Sequence, residues 1–553
     1  MVVLKIIKRS YVDINGFHIK KKYLTKEQIK KIEKELIVSP RSMDYNEIEY
    51  EMFTQTSKSF TLPVYWGKQF IGLPAKEKYT HEKSNMKFKG CLRKIQQPIV
   101  DKSLGHINST GGGLITVRCG GGKTVMSLYL ACMLGLKTLV IVNTKELQAQ
   151  WILRIKEFTT ANVGIIRGKI IDIEDKDIVI GSIQSISQKD YEKGIFDRFG
   201  FVIYDEAHHV ASRYFSRTLL KTCTKYTLAL TATPERPDGL IKVMYWFLGE
   251  CMYRQSMVKN RKVMVKRIIY NTDDPEKFKE LTRGARTKTG WKKVPDPNGT
   301  TIKLCKIKNR TKLQIKIIVA MIKANKKRKI LILSRFKDHL TQLKTGVDKK
   351  LDKLLKEGFL KYNEITSCYF HGDLKDKERA FARENGDIFF GTFSIAQEGL
   401  DIPKLNTLMM CTSQKKVKQA AGRIMRKILD KGDVRPLIVD FTDDLPILKS
   451  HSDKRDRYFS RAEYQREDTY AFKDRLVSYK TYMKKKELDM DNDQKTQKKL
   501  DNVFKITPIG EHELQEQLEE SDGEMKYESD SGQEYEKAVK ERYVKYRKNV
   551  FKR

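Results

Sequence analysis

Two stretches of the chain alternate short, continuously apolar segments with longer segments of helical period. In the first, uninterrupted Val, Ile, Leu and Phe predict strands at 138–142, 177–180, 201–204 and 227–230. In the second, the predicted strands are 329–333, 366–370, 387–390, 407–410 and 437–439. Strands that are apolar on both sides and separated by helices belong to parallel sheets covered on both faces. The expected fold class is α/β, with two parallel-sheet domains in tandem, at 88–255 and 311–475. Residues 1–87 form an accessory domain, where Thr25 and Gln28 have capping-box spacing before a helix whose Ile29, Ile32 and Leu36 share a face. The polar stretch 256–310, containing RGARTKTGWKKVPDPNGT, reads as a linker or insertion. The charged tail 476–553 includes eleven acidic residues and one lysine between Glu511 and Glu536, the composition of a solvated arm.

Composition narrows the partner. The chain has 553 residues, with Lys+Arg 109 against Asp+Glu 70, a net charge of +39. Such a field favours a polyanion, and nucleic acid is the commonest one, although lysine-rich genomes also make basic proteins of other kinds. With 40% apolar and 10% aromatic residues, sizeable cores can form. No apolar run reaches the roughly 18 residues that span a bilayer. The opening MVVLKIIKRSY lacks a signal-peptide pattern, and the eight cysteines stand singly, without metal-binding spacing. A soluble protein in a reducing, intracellular compartment is expected, with no membrane partner.

Several motifs carry chemistry. Cys119-Gly120-Gly121-Gly122-Lys123-Thr124 lies between the apolar LITV and a helical segment. Glycines there let backbone N–H groups and a helix N-terminus face phosphates; Lys123 can reach the outer phosphates and Thr124 can ligate Mg²⁺. In the pattern G-x-x-x-x-G-K-[ST] the first glycine falls at Val117, and taken alone GGGKT also fits an ordinary glycine turn. Farther on, FVIYDEAHH puts Asp205 and Glu206 at the C-terminal end of a predicted strand, the ligand edge of an α/β sheet. Asp205 there could hold Mg²⁺ through water and Glu206 could deprotonate an attacking water; the plain alternative is an acidic helix start. Thr231-Ala232-Thr233-Pro234, Ser334-Arg335-Phe336 and the segment Thr392 to Pro403 follow further predicted strands. Arg423 and Arg426, three apart in QAAGRIMR, share a helix face and can neutralise a transferring phosphoryl group. Chance does not readily supply all of these, in one order, each at a strand end.

On these residues the chain resembles the superfamily 2 helicases of DEAH type. In particular it is similar to the transcript-release DNA helicases of poxviruses and other large DNA viruses, and to the branch containing the transcription-and-repair DNA translocase. The motifs are LRKIQ at 92–96, CGGGKT, DEAH at 205–208, TATPERPDG at 231–239 and QAAGRIMR at 419–426, within a match over about 88–475. The resemblance implies two RecA-like domains and use of ATP with Mg²⁺. It implies an ATP site of Gln96, Cys119, Gly120, Gly121, Gly122, Lys123 and Thr124, with Gln96 reading adenine and Asp205 and Glu206 beside the phosphates. Gly399 and Asp401 would contribute from the second domain, together with Arg423 and Arg426. His208, Thr231, Thr233 and Gln419 would couple nucleotide state to domain movement. Thr144, Ser182, Gln184, Arg335 and Thr392 would meet nucleic-acid phosphates, while Trp151 and Phe336 read as core.

The implied activity is a nucleic-acid-stimulated ATPase and translocase with DNA as the favoured track, in viral transcription or DNA repair. RNA polymerase or other transcription proteins are the implied partners; if the protein is viral, its place is the host cytoplasm, a viral factory or the virion. An RNA helicase of mRNA processing and a non-enzymatic nucleic-acid scaffold are the alternatives. The intact Lys123, Asp205, Glu206, Arg423 and Arg426 argue against the scaffold.

Overall fold

The structure, a computed structural model, describes residues 6–39, 49–118, 120–232, 239–256, 259–274, 276–287, 290–398, 402, 404–425, 430–487, 503, 504 and 506. It divides into two compact units that meet in sequence after Ser256. Among the described residues no helix is long and apolar enough to cross a membrane.

The first unit begins with a five-stranded sheet in the order Thr54–Gln55, Ser59–Leu62, Gly16–Lys20, Ile6–Asp13, Leu73–Glu77. The helix Lys26–Glu35 starts at the expected capping box. The Thr25 hydroxyl accepts from the Gln28 N–H at 3.1 Å, and the Gln28 side chain accepts from the Thr25 N–H at 2.9 Å. This sheet shares one apolar core with its neighbour, in which Val12, Phe17, Phe60 and Trp66 pack with Leu139, Val202 and Phe247. Polar ties cross the same boundary, from Tyr65 to the Thr227 hydroxyl at 3.0 Å and from the Tyr50 hydroxyl to the Ala211 carbonyl at 3.0 Å.

The neighbour is an eight-stranded sheet in the order Ile170–Asp172, Val163–Arg167, Ile178–Ser182, Thr138–Val142, Phe201–Tyr204, Tyr226–Thr231, Gly112–Thr116, Cys251–Arg254. All pairings are parallel except that of Ile170–Asp172. Parallel strands deliver their C-terminal ends to one edge, which is why motifs far apart in sequence meet there. Gly112–Thr116, Val163–Arg167 and Cys251–Arg254 were outside the predicted strands. They are short and interrupted by glycine or polar residues, so only sheet partners reveal them.

The second unit holds another eight-stranded sheet, in the order Ser367–Phe370, Ile388–Thr392, Ile330–Ser334, Thr407–Met410, Leu437–Asp443, Met264–Asn271, Gln465–Phe472, Arg475–Val477. Residues 256–310, expected as a linker or insertion, contain regular elements. Met264–Asn271 is an interior strand, parallel to both Leu437–Asp443 and Gln465–Phe472, followed by an antiparallel hairpin of Thr282–Thr287 and Gly290–Pro295 and the helix Pro297–Cys305. Its lysine and arginine hid the strand: Lys266 is buried yet paired to Glu467 at 2.8 Å, and Arg267 pairs with Asp468 at 2.9 Å. The tail is also folded at its start, since Leu476, Tyr482 and Phe504 are buried and the Tyr482 hydroxyl donates to Asp444 at 2.5 Å. These anchors are too sparse among lysines to show a period.

Beneath this sheet the Arg310 guanidinium donates to Asp443 at 2.6 and 2.9 Å and to the Cys411 carbonyl at 2.8 Å, with both side chains wholly inaccessible. Removing one partner of such a pair strands the other charge in a medium that solvates it poorly. Asp443→Asn is therefore expected to destabilise the second unit by about 3–5 kcal/mol, seen as an earlier urea midpoint for that unit. A loss under about 1 kcal/mol would show the pair to be dispensable.

Candidate active site

The strand Gly112–Thr116 is buried at all five positions and runs into the glycine loop. Gly122 adopts a φ of 83° and caps the helix Lys123–Leu134 without any side-chain hydrogen bond. That conformation favours glycine, and a β-carbon there, 2.0 Å from the Gln96 amide nitrogen, would also have to displace that side chain. Val117, where the longer pattern has glycine, is buried and fills the floor of the loop; a β-carbon on Gly121 would stand 2.4 Å from it. Gln96 is buried under the same loop, donating to the Gly121 carbonyl at 3.3 Å and accepting from the Arg93 N–H at 2.9 Å. Its amide thus braces the loop in this structure.

Asp205 and Glu206 leave the central strand Phe201–Tyr204 together. Glu206 has a φ of 46° and a ψ of 49°, a left-handed conformation unusual for a residue with a side chain. It turns the carboxylate toward Lys123, whose ammonium lies 3.2 Å from Oε1. The other oxygen lies 3.3 Å from His208 Nδ1, and that nitrogen is 3.2 Å from the hydroxyl of the buried Thr231. A continuous polar chain therefore runs Lys123, Glu206, His208, Thr231, from the glycine loop to the end of the strand Tyr226–Thr231.

Asp205 is held differently. Its Oδ1 accepts from the Glu206 N–H at 2.9 Å, and its Oδ2 accepts from the indole N–H of Trp151 at 2.8 Å. Trp151 is buried on the helix Lys145–Phe158 in a stripe with Gln148 and Ile155, so its reading as core holds and its polar end adds a contact the pattern could not show. The adjacent carboxyls are pushed apart. Burial holds Asp205 above its ordinary value, against the pull of Lys123. Burial also pushes Glu206 up, but the Lys123 charge and His208 outweigh it and keep that carboxyl below the usual range. One buried carboxylate is thus kept ionised beside a cation while its neighbour is oriented by an indole. That pairing can bind a phosphate-bound cation, and Glu206 gains basicity only as Lys123 turns from it to another anion.

Among the described residues no three His, Cys, Asp or Glu side chains form a metal cage. Two hard oxygens, the Thr124 hydroxyl and the Asp205 carboxylate, suit Mg²⁺, which takes few protein ligands and completes its shell with water and substrate phosphates.

At the ends of three neighbouring strands of the first unit, a cavity of about 350 Å³ is lined by Asn143, Thr144, Lys145, Gln148, Arg167, Ser182 and Gln184 among others. Gln184 donates to the Asn143 carbonyl at 2.7 Å, the Ser182 hydroxyl contacts Gln184 Oε1 at 2.9 Å, and Arg167 donates to Gln148 at 3.0 Å. The Thr144 hydroxyl caps the next helix, accepting from the Leu147 N–H at 3.2 Å. Thr144, Ser182 and Gln184 are brought together, and Arg167 joins them unanticipated; its only signal was an arginine closing the short apolar segment VGIIR.

In the second unit Arg335 follows the strand Ile330–Ser334 and its N–H donates to the Thr412 hydroxyl at 3.0 Å. Thr392 ends the strand Ile388–Thr392, 2.9 Å from the Ser394 hydroxyl. Gln419 and Arg423 lie on the helix Lys418–Arg423, where the Arg423 guanidinium donates to the Ala396 carbonyl at 2.7 Å. Cys119, Thr233, Gly399, Asp401 and Arg426 fall outside the described residues.

Comparison with known proteins gives the family. The family model "Type III restriction enzyme, res subunit" matches residues 89–236, and "Helicase conserved C-terminal domain" matches 313–427. The chain is 30% identical over 491 residues to "Putative ATP-dependent RNA helicase L396" of Acanthamoeba polyphaga mimivirus, covering 85% of this chain and 90% of the relative. It is 33% identical over 145 residues to "DNA 3'-5' translocase XPB2" of Sulfurisphaera tokodaii, covering 26% of this chain and 32% of that one. A fragment titled as a "putative HsdR subunit of a type I restriction enzyme" from Vibrio vulnificus shares the fold, with a TM-score of 0.50 at 16% identity and 71% coverage of each chain. The chain belongs to the superfamily 2 helicases, with two RecA-like parallel-sheet domains, and is a nucleic-acid-stimulated ATPase of that class.

Trp151→Phe keeps the packing and removes only the donor to Asp205. Loss of such an orienting partner is expected to raise the Mg²⁺ concentration for half-maximal ATP hydrolysis about tenfold. An unchanged Mg²⁺ titration would show that the indole serves packing alone.

Proposed function

We propose that this helicase is an ATP-driven motor that tracks along DNA and acts in viral transcription, in transcript release or elongation, or in DNA repair. The chain Lys123–Glu206–His208–Thr231 carries the reading, because it links a phosphate-binding cation, a proton acceptor and a strand end in one line of close polar contacts. Lys123 holds the outer phosphates, and Glu206 accepts a proton from the attacking water. Thr124 and Asp205 hold Mg²⁺, which when bound neutralises phosphate charge. Gln96, with Gly399 and Asp401, serves the nucleotide, and Arg423 and Arg426 offset charge on the transferring phosphoryl group. His208, Thr231, Thr233 and Gln419 transmit the state of the γ-phosphate.

Thr144, Ser182 and Gln184, joined by Arg167, grip backbone phosphates, as do Arg335 and Thr392. Such contacts carry no base sequence. The LRKIQ and TATPERPDG segments and the similarity to a named DNA translocase favour DNA. Relatives named as RNA helicases favour the second reading, an RNA track. An RNA polymerase or another transcription protein is the proposed protein partner.

Steady-state ATP hydrolysis with single-stranded DNA, duplex DNA and RNA separates the two readings: DNA is expected to stimulate most, and stimulation by RNA alone would overturn the DNA track. Glu206→Gln should cut turnover by about 10²–10⁴-fold while ATP still binds; undiminished turnover would remove Glu206 from the base role.

A further inference from the structure

The hairpin of Thr282–Thr287 and Gly290–Pro295 stands outside both large sheets as a two-stranded sheet of its own. Its base is anchored. The Leu281 N–H donates to the Thr300 hydroxyl at 2.9 Å, and the Asp296 N–H donates to the Leu281 carbonyl at 2.7 Å. Asp296 also caps the helix Pro297–Cys305, accepting from the Asn298 and Gly299 N–H groups at 3.1 and 3.0 Å. Ala285 is buried and Val294 half-buried, so one side of the hairpin rests on protein.

The other side carries Trp291. Its side chain is 77% exposed, whereas Trp66, Trp151 and Trp246 are 0%, 1% and 9% exposed. The register sets Trp291 opposite Arg286 and Lys293 opposite Gly284. The six-membered edge of the indole packs over Gly284, its carbons 3.5 and 3.6 Å from where a β-carbon on that glycine would sit. A glycine thus supports the ring and leaves its outer surface to solvent. Between Thr282 and Pro295 the sequence has five Lys or Arg residues and no Asp or Glu.

We propose that this hairpin is a stacking platform for one unpaired base of a nucleic-acid strand, with Trp291 beneath the base and Lys293, on the same side of the hairpin, on a flanking phosphate. An indole left largely exposed is costly in water and contributes little to a fold, but any base offers a matching flat surface and any strand offers the counter-charge. In a duplex the base faces are covered by their neighbours, so the ligand is single-stranded. The proposal rests on the helicase reading only for the ligand's class, and it places a strand contact on a segment outside the glycine loop, the Asp205–Glu206 pair and the cavity around Thr144.

The test uses the full chain and 20-nucleotide oligo(dT) and oligo(U), read by tryptophan emission and by binding affinity. Because the other three indoles are buried, quenching on binding reports Trp291. Wild type is expected to show quenching, and Trp291→Ala to lose it and bind about tenfold more weakly. Trp291→Phe should recover most of the affinity, while Lys293→Gln should lower the salt slope by about 0.7, the share of one phosphate. Polyphosphate, which has no bases, should bind without quenching. Equal affinity of wild type and Trp291→Ala, or equal quenching by polyglutamate, would overturn the platform. Glu206→Gln, which keeps the hairpin, should retain the quenching; a motor that fails in its ATPase assays while this quenching persists would count against the proposed function alone.

Discussion

The contact between the Lys123 ammonium and the Glu206 carboxylate governs the arrangement of the first unit's site. Two opposite charges sit 3.2 Å apart with about a tenth of each side chain exposed, which is tolerable only because each charge offsets the other's loss of water. Each geometric oddity nearby serves that contact. Gly122 turns the loop so that the helix begins at Lys123, and Glu206 takes a left-handed backbone to face it. Val117 fills the floor beneath Gly121. Under the proposed function a phosphate entering the loop would compete with Glu206 for the same ammonium, with His208 lying between the far oxygen and Thr231.

The accessory sheet has a mechanical part in this. It shares an apolar core with the side of the main sheet that carries Leu139 and Val202, and Tyr65 bonds to Thr227 on the strand that ends in Thr231. The strands Phe201–Tyr204 and Tyr226–Thr231 are packed on both faces: Val202 and Ala229 belong to the core shared with the N-terminal sheet and the helix Ile241–Leu248, and Ile203 and Leu230 to a second core with Met126 and Trp151. Close packing of this kind resists small shifts, which is what a site depending on tenths of an ångström requires.

The second unit meets a different constraint. Its lysines and arginines are too many to leave the sheet wholly apolar, so several are buried with partners: Arg310 with Asp443, Arg455 with Asp440 at 2.8 Å, and Lys266 with Glu467. Such pairs add little net stability over apolar contacts but penalise any register that separates them. They also explain why the strand did not show in the sequence: Met264–Asn271, within the expected linker or insertion, is an interior strand whose basic side chains find carboxylates on Gln465–Phe472.

The alternation of apolar segments and helices was enough to give two parallel-sheet domains, and the glycine loop and acidic pair marked two segments that the structure brings together, with Lys123 3.2 Å from Glu206. Local rules govern those features: β-branched runs make buried strands, glycines make phosphate loops, and strand ends make ligand edges. Tertiary structure alone decided the rest. It decided that Trp151 donates to Asp205, that Arg167 joins Thr144 and Gln184, and that a basic, polar stretch forms an inner strand and a hairpin bearing a bare indole. Each of these depends on partners tens to hundreds of residues away, 54 for Trp151 and 201 for Lys266. Pairing at that distance is set by how the sheets close, and leaves no period in the chain for a reader of sequence to find.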